Sequence, residues 1–376
     1  MRKIMMFSAA HPGPILVALG LLTLTALLSL GDLRVRISAE SLLIKDNPAW
    51  RLYQKTRHTF GSDSITVVFL RDQELFQAEK LIAIKKVVEA IDALPFVERT
   101  SSLYSARNVR NTDGFITTRP YLGEIPFDSR LLESISRDAV QNPLISGNLL
   151  SADASAMAIN IYFRSTEDKD GFDSQATLAI EDAIAPLQGL VEEVFQIGGA
   201  YVRDELTKHI LGDQLVIVPL SLVLLLMALT VSLRRLNGAL IPLLTAGLSV
   251  TWTLALLALL EIPVDVMTSI VPALLIIIGS TEDIHLLAEY EEGIAAGGVT
   301  RIAAVGQMSS TMGTAVLLTF VTTYLGFLSI AVNDIELLRQ FGLVASTGLL
   351  MNFVITVLLI PIYLKHFGNR RPAKYS

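Results

Sequence analysis

The chain predicts an α-helical integral membrane protein of six transmembrane helices, with a folded α+β domain, ferredoxin-like in its element order, between the first helix and the second. Three observations carry this expectation. Apolar residues make up 52% of the 376 and the mean hydropathy is positive, which is far from the balance of a soluble domain. Apolar runs long enough for a hydrocarbon core of ~30 Å occur six times. Between the first two runs, residues 32–212 carry charges throughout and hold no stretch that could span.

Composition also excludes several functions. The net charge of −6 offers none of the basic surface that a nucleic-acid partner requires. With no cysteine there is no disulfide, thiolate metal site or cysteine nucleophile, so any domain outside the cytoplasm must hold by its core alone. The phosphate-binding pattern GxxxxGK[ST] is absent, which removes that route to nucleotide hydrolysis. The residues imply neither a cofactor nor a metal.

Taken in order, Arg2 and Lys3 precede Pro12-Gly13-Pro14 and an apolar run from Ile15 to Leu30. This run is longer than a signal-peptide core of ~7–15 residues and no A-x-A site follows it, so residues 1–31 read as a retained first span with its basic end in the cytoplasm. In the polar block, Ser64–Leu70 and Phe96–Leu103 read as strands on either side of an amphipathic helix at Glu74–Leu94, which Pro95 ends. A helix at Asp128–Gln141, the alternating strand Ala156–Arg164, a helix at Asp173–Leu190 and a strand at Val194–Gly198 complete two βαβ halves with an insertion. A further helix, Tyr201–Gly212, leads into the second span, Leu215–Leu233, which Arg234-Arg235 stop. The third span is Ile241–Leu260 after a short turn at Asn237-Gly238. The fourth runs from near Val266, and Glu289–Ser310 reads as a loop with a short amphipathic segment on the inner surface. Thr311–Ala331 and Leu343–Leu364 are the fifth and sixth, so residues 213–368 form a five-helix bundle and 369–376 a cytoplasmic tail. Six spans put both termini on one side. The clusters Arg2-Lys3, Arg234-Arg235 and Lys365 with Arg370-Arg371 and Lys374 all fall on that side, which the positive-inside rule makes cytoplasmic and leaves 32–212 outside.

The fourth helix is the candidate site. Nearly every residue from Val266 to Ile278 is apolar or a small hydroxyl, and then Gly279, Ser280 and Thr281 lead into Glu282, Asp283 and His285. A charged group held near hydrocarbon costs about 2.5–3.5 kcal/mol on insertion scales, so acids at such a depth usually face a protein interior or a wet cavity. A helix starting near Val266 spans by His285–Leu287, and acids wetted in its last turn are the alternative. Glu282, His285 and Glu289 share a face, whereas Asp283 points about 100° away, towards the side of Gly279 and Leu286. Sharing a face with His285, whose ordinary pKa near 6.5 suits proton hand-off, favours Glu282 over Asp283 as the proton-coupling acid. Thr281 beside them, and Thr322, Thr323 and Asn352 on the fifth and sixth helices, are the candidate supporting polar groups. Such residues also serve simply to hydrogen-bond membrane helices together.

Several segments carry a resemblance. SLLIKDNPAWRLYQKTRHTFGSDSITVVFL (41–70), Gly198-Gly199 with Asp213, MGTAVLLTFVTTYLGFLSI (312–330) and LRQFGLVASTGLLMNFVITVLLIPIYL (338–364) resemble the resistance-nodulation-division (RND) superfamily. Within it they are similar to the lipid and hydrophobe exporters of MMPL type. The resemblance implies a secondary transporter, not an enzyme, that moves a lipid-like or small hydrophobic cargo with protons. It further implies an extracytoplasmic porter domain, a place in the bacterial inner membrane and a possible periplasmic adaptor. Gly279 and His285-Leu286-Leu287 match the family's fourth helix, but Thr281 stands where that pattern has Asp and Glu282 where it has Tyr. The chain also resembles one six-helix unit where many relatives fuse two, which implies a homodimer, pairing with a separate half, or a fragment of a longer chain. A sterol-sensing-like bundle that binds lipid and signals without transport is the other functional expectation.

Overall fold

The computed structural model describes residues 1–35, 48–60, 65–112, 115–164, 171–233, 236–296 and 299–368. It divides into two compact units, residues 47–206 and residues 1–46 with 207–376. The expected tail at 369–376, the arginines at 234–235 and the segment 41–47 lie outside the described residues.

The first unit is built on a four-stranded antiparallel sheet in the order β2-β5-β1-β6, formed by β1 (Ile65–Arg71), β2 (Val97–Ser101), β5 (Ala156–Phe163) and β6 (Glu193–Gly198). Alternation along β5 puts Met157, Ile159, Ile161 and Phe163 on one buried face. Against that face pack α4 (Ala78–Asp92), through Leu81, Ile84, Val88 and Ile91, and α6 (Phe172–Ile184), through Ala176, Ile180 and Ile184. Period-two strands covered on one face by period-3.6 helices close a single core. Two expected helices prove shorter. The one expected at Glu74 begins at Ala78, because Asp72 Oδ1 accepts the Glu74 N–H at 2.7 Å and residues 73–76 form a turn. The one expected to reach Leu190 ends at Ile184, and the 3-10 turn Ala185–Leu187 holds Pro186. Sequence reading did not anticipate α3 (Pro48–Phe60) or the hairpin of β3 (Arg107–Thr112) and β4 (Phe115–Pro120). α5 (Ser129–Gln141) starts where Asp128 accepts the Arg130 N–H at 2.9 Å.

Among the described residues, six helices are long and apolar enough to cross a bilayer. They lie in α2 (Pro12–Ser29), α7 (Gly199–Leu233), α8 (Leu236–Leu259), α9 (Val271–Ala295), α11 (Gly313–Ile330) and α12 (Glu336–Phe367). The expected helix at Tyr201–Gly212 and the second span are one continuous helix, α7. Asn237 and Gly238 lie within α8 and not in a turn. α8, α9 and α12 form the inner layer, whereas α2, α7 and α11 present most of their surface outwards. Small residues on α12 permit this: a Cβ on Gly348 would come within 2.7 Å of Leu275 Cδ1 on α9 and 3.0 Å of Thr253 Oγ1 on α8. Close backbone approach of this kind replaces the hydrophobic drive that lipid cannot supply. Two short helices brace one end of the bundle. α1 (Arg2–Ala10), another element the sequence reading did not resolve, buries Met5 and donates the Ser8 hydroxyl to the Leu358 carbonyl, while Lys365 Nζ reaches the Ala9 carbonyl at 2.7 Å. α10 (Arg301–Thr311) is capped by Thr300 and buries Val305 and Met308.

The sheet unit makes a pH-dependent prediction. Burial works to raise the Asp72 carboxyl, but the Lys80 ammonium at 2.6 Å and the Glu74 N–H together hold it below the usual range. A depressed carboxylate adds stability above its ordinary pKa and loses it as pH falls through the native one. Asp72→Asn is therefore expected to lower protection of the α4 amides by about 1–3 kcal/mol at neutral pH, with variant and parent converging in acid. Hydrogen exchange at both pH values checks it.

Candidate functional site

The acidic helix is set in place from its start. Asp265 Oδ1 accepts the N–H groups of Met267 at 2.9 Å and Thr268 at 2.7 Å, and the Thr268 hydroxyl at 3.0 Å. These donors would otherwise be orphans of a helical start. Burial holds the Asp265 carboxyl above the usual range; its bonds to Thr268 and Met267 oppose this, and the charge of Glu336 adds to it. A 3-10 turn, Thr268–Ile270, then passes into α9, with Pro272 in its first turn where a missing N–H costs nothing.

From Val271, Glu282 lies about 17 Å along the helix at 1.5 Å per residue, and α9 continues to Ala295. The acids are therefore in mid-helix and not in its last turn. Glu282 is 5% exposed and Asp283 is fully buried.

Adjacent in sequence, the two acids face different surroundings. Asp283 turns to the inner layer. Its Oδ2 accepts the Thr245 hydroxyl of α8 in a short bond, and its Oδ1 accepts the Thr356 hydroxyl of α12 at 2.7 Å. One turn earlier, Gly279 meets Asn352: a Cβ there would lie 2.5 Å from Asn352 Oδ1. Gly279 and Asp283 on α9 thus face Asn352 and Thr356 on α12, two i, i+4 pairs in register. Asn352 is buried and its Oδ1 accepts no hydrogen bond among the described residues.

Glu282 faces the other way, into a cavity of about 410 Å³ between α9 and α11 that His285, Thr281 and Thr323 also line. Its Oε2 is buried without a hydrogen-bond partner among the described residues. Of the residues singled out from sequence, the structure brings Glu282 together with His285, Thr281 and Thr323 around one cavity, whereas Asp283 meets Thr245 and Thr356, and Asn352 meets Gly279. Thr322 joins neither group: it is exposed, and its hydroxyl bonds the carbonyls of Leu318 and Thr319 in its own helix. Thr245 and Thr356 escaped the sequence reading as site residues. The only available signal was a hydroxyl inside an apolar run, which many positions share.

A bundle of six apolar helices among the described residues, with a sheet unit in the first connection and a buried acid pair on the fourth, defines a multi-pass membrane protein. The chain belongs to the MMPL family, whose profile matches residues 41–375. That family comprises transporters of RND type that handle hydrophobic compounds, and not enzymes. A relative in Methanocaldococcus jannaschii, named "Putative membrane protein MJ1562", is 24% identical over 381 residues, covering 96% of this chain and 92% of its own.

The packing of α9 on α12 is directly testable. Gly279→Ala is expected to displace Asn352 and cost about 1–3 kcal/mol, as overpacking does. Asn352→Ala in the same chain should restore most of the loss, as thermal unfolding in detergent would report.

Proposed function

We propose that the protein drives the export or inter-membrane transfer of a lipid-like or small hydrophobic compound with protons, and that Glu282 and Asp283 carry the coupling. The observation that carries this reading is the hydrogen-bond arrangement around Asp283. As a carboxylate it accepts two hydroxyls, which offset part of the cost of holding charge in a dry bundle. As a neutral acid it donates to Thr245 Oγ1, and the Thr245 hydrogen turns to the Pro242 carbonyl, already 2.9 Å away. Rotation of one hydroxyl thus satisfies both protonation states, and a buried group that exchanges protons must be satisfied in both. Charge on Asp283 draws α8 and α12 towards α9, and neutralisation relaxes that hold. Glu282, at the cavity wall beside His285, is the group that exchanges protons with the outside.

In this reading the sheet unit is a ferredoxin-like porter domain outside the cytoplasm, and α7, which runs unbroken from the end of β6 into the second span, is the covalent lever between chemistry and cargo. The membrane is the inner (plasma) membrane, with both termini cytoplasmic. His285 lies exposed on a spanning helix. Lipid alone serves such a group poorly, so the bundle pairs with a second copy or a separate half.

Two measurements test the proposal. In vesicles under an imposed pH gradient, cargo flux is expected from the parent chain, and Glu282→Gln and Asp283→Asn should reduce it to the level of protein-free vesicles while assembly survives. Full flux in both variants would refute the coupling role, and cargo binding without flux in the parent would point to a sensor. Because the chain has no cysteine, a single cysteine at Ser151 reports its side: an impermeant thiol reagent should label it in intact cells, and light scattering on the same purified protein should give the mass of two protomers.

A further inference from the structure

The cavity between α9 and α11 has a polarity that proton exchange alone does not require. Its body is apolar, walled by Ile277, Ile278, Met312 and Val316. Three threonines also line it, and each hydroxyl hydrogen is engaged by its own helix: Thr281 with the Ile277 carbonyl at 3.0 Å, Thr319 with Ala315 at 3.1 Å and Thr323 with Thr319 at 2.9 Å. What these hydroxyls leave over is lone pairs. Glu282 adds a carboxylate that is 95% buried, with an oxygen that accepts nothing among the described residues. Among the described residues no lysine or arginine lines the space. Apart from the His285 ring, the polar groups of this apolar wall are acceptors, and the complement of its buried carboxylate is a donor-bearing cation on an apolar body.

We propose that this cavity binds a cationic amphipath, with an ammonium group against Glu282 and its hydrocarbon along α9 and α11. The inference rests on reading the acidic helix as the transport site, and it adds the charge of the cargo. A proton and an ammonium cannot both neutralise one carboxylate, so cargo and proton exclude each other at Glu282, and loading one releases the other. The charged and titratable groups around Glu282 are few. His285 lines the same cavity, and Asp283 is turned away towards Thr245 and Thr356. α11 brings no charged side chain, and neither do the described residues of α8 or the stretch of α12 that packs beside Asp283. Acidification neutralises Glu282, which removes the negative charge that holds a cation.

The test is equilibrium binding to the protein in zwitterionic nanodiscs, with tritiated dodecyltrimethylammonium compared with dodecyl glucoside and dodecyl sulfate. The cation is permanently charged, so any pH dependence belongs to the protein. Saturable binding is expected for the ammonium probe alone, weakening on acidification, and Glu282→Gln should lower its affinity about tenfold or more, as loss of a charged partner does. Ala315→Phe, a change at an exposed position that fills the cavity from α11, should abolish binding and keeps the test valid if Glu282→Gln fails to fold. Equal affinity for the neutral probe, preference for the sulfate, or unchanged binding in Glu282→Gln would overturn the proposal and leave the cavity a seat for ordinary lipid. No gradient is applied, so the result is separate from proton-driven flux. Flux that needs Glu282 without cation selectivity would leave proton coupling standing and remove only the cargo class.

Discussion

Everything in the membrane unit depends on one constraint: a carboxyl group in the middle of an apolar helix must find hydrogen-bond partners on other helices, because lipid offers none. Asp283 meets it by reaching α8 and α12 at once, through Thr245 and Thr356. The two hydroxyls lie 38 and 73 residues away in sequence. Three helices must therefore hold one register before the acid is satisfied. The small residues that let them approach, Gly279 against Asn352 and Gly348 against Leu275, serve the same end.

This constraint also explains why two neighbouring acids have different characters. A step of about 100° on a helix turns one side chain to the interior and the next to the periphery. Asp283 is held by two hydroxyls, and its hydrogen bonds tie helices together. Glu282 faces a cavity wall that His285 shares and whose threonine hydrogens are already engaged, and one of its oxygens has no partner among the described residues. One short acidic motif thus supplies both a tie between helices and an open acceptor.

The sheet unit obeys a different rule. There the buried face of β5 closes against α4 and α6. α7 joins the two regimes covalently, leaving the Glu193–Gly198 strand and continuing without a break to Leu233. A continuous helix is stiffer than a turn, and the apparent boundary between an amphipathic stretch and an apolar one was a change of surroundings, not of backbone conformation.

Much was legible in the sequence alone, because hydrophobic pattern is a local signal. The six spans, the sheet strands of the polar block and the position of the acidic helix follow from runs and periods that neighbouring residues share. The opposed facing of Glu282 and Asp283 follows from helical geometry. Only the tertiary structure decided which hydroxyls serve Asp283, since Thr245 and Thr356 look no different in sequence from Thr322, whose hydroxyl only bonds its own helix. The same holds for α1, whose burial depends on Leu358 and Lys365 more than 300 residues away. Partners across helices are set by register, and register is a property of packed surfaces that a one-dimensional pattern does not encode.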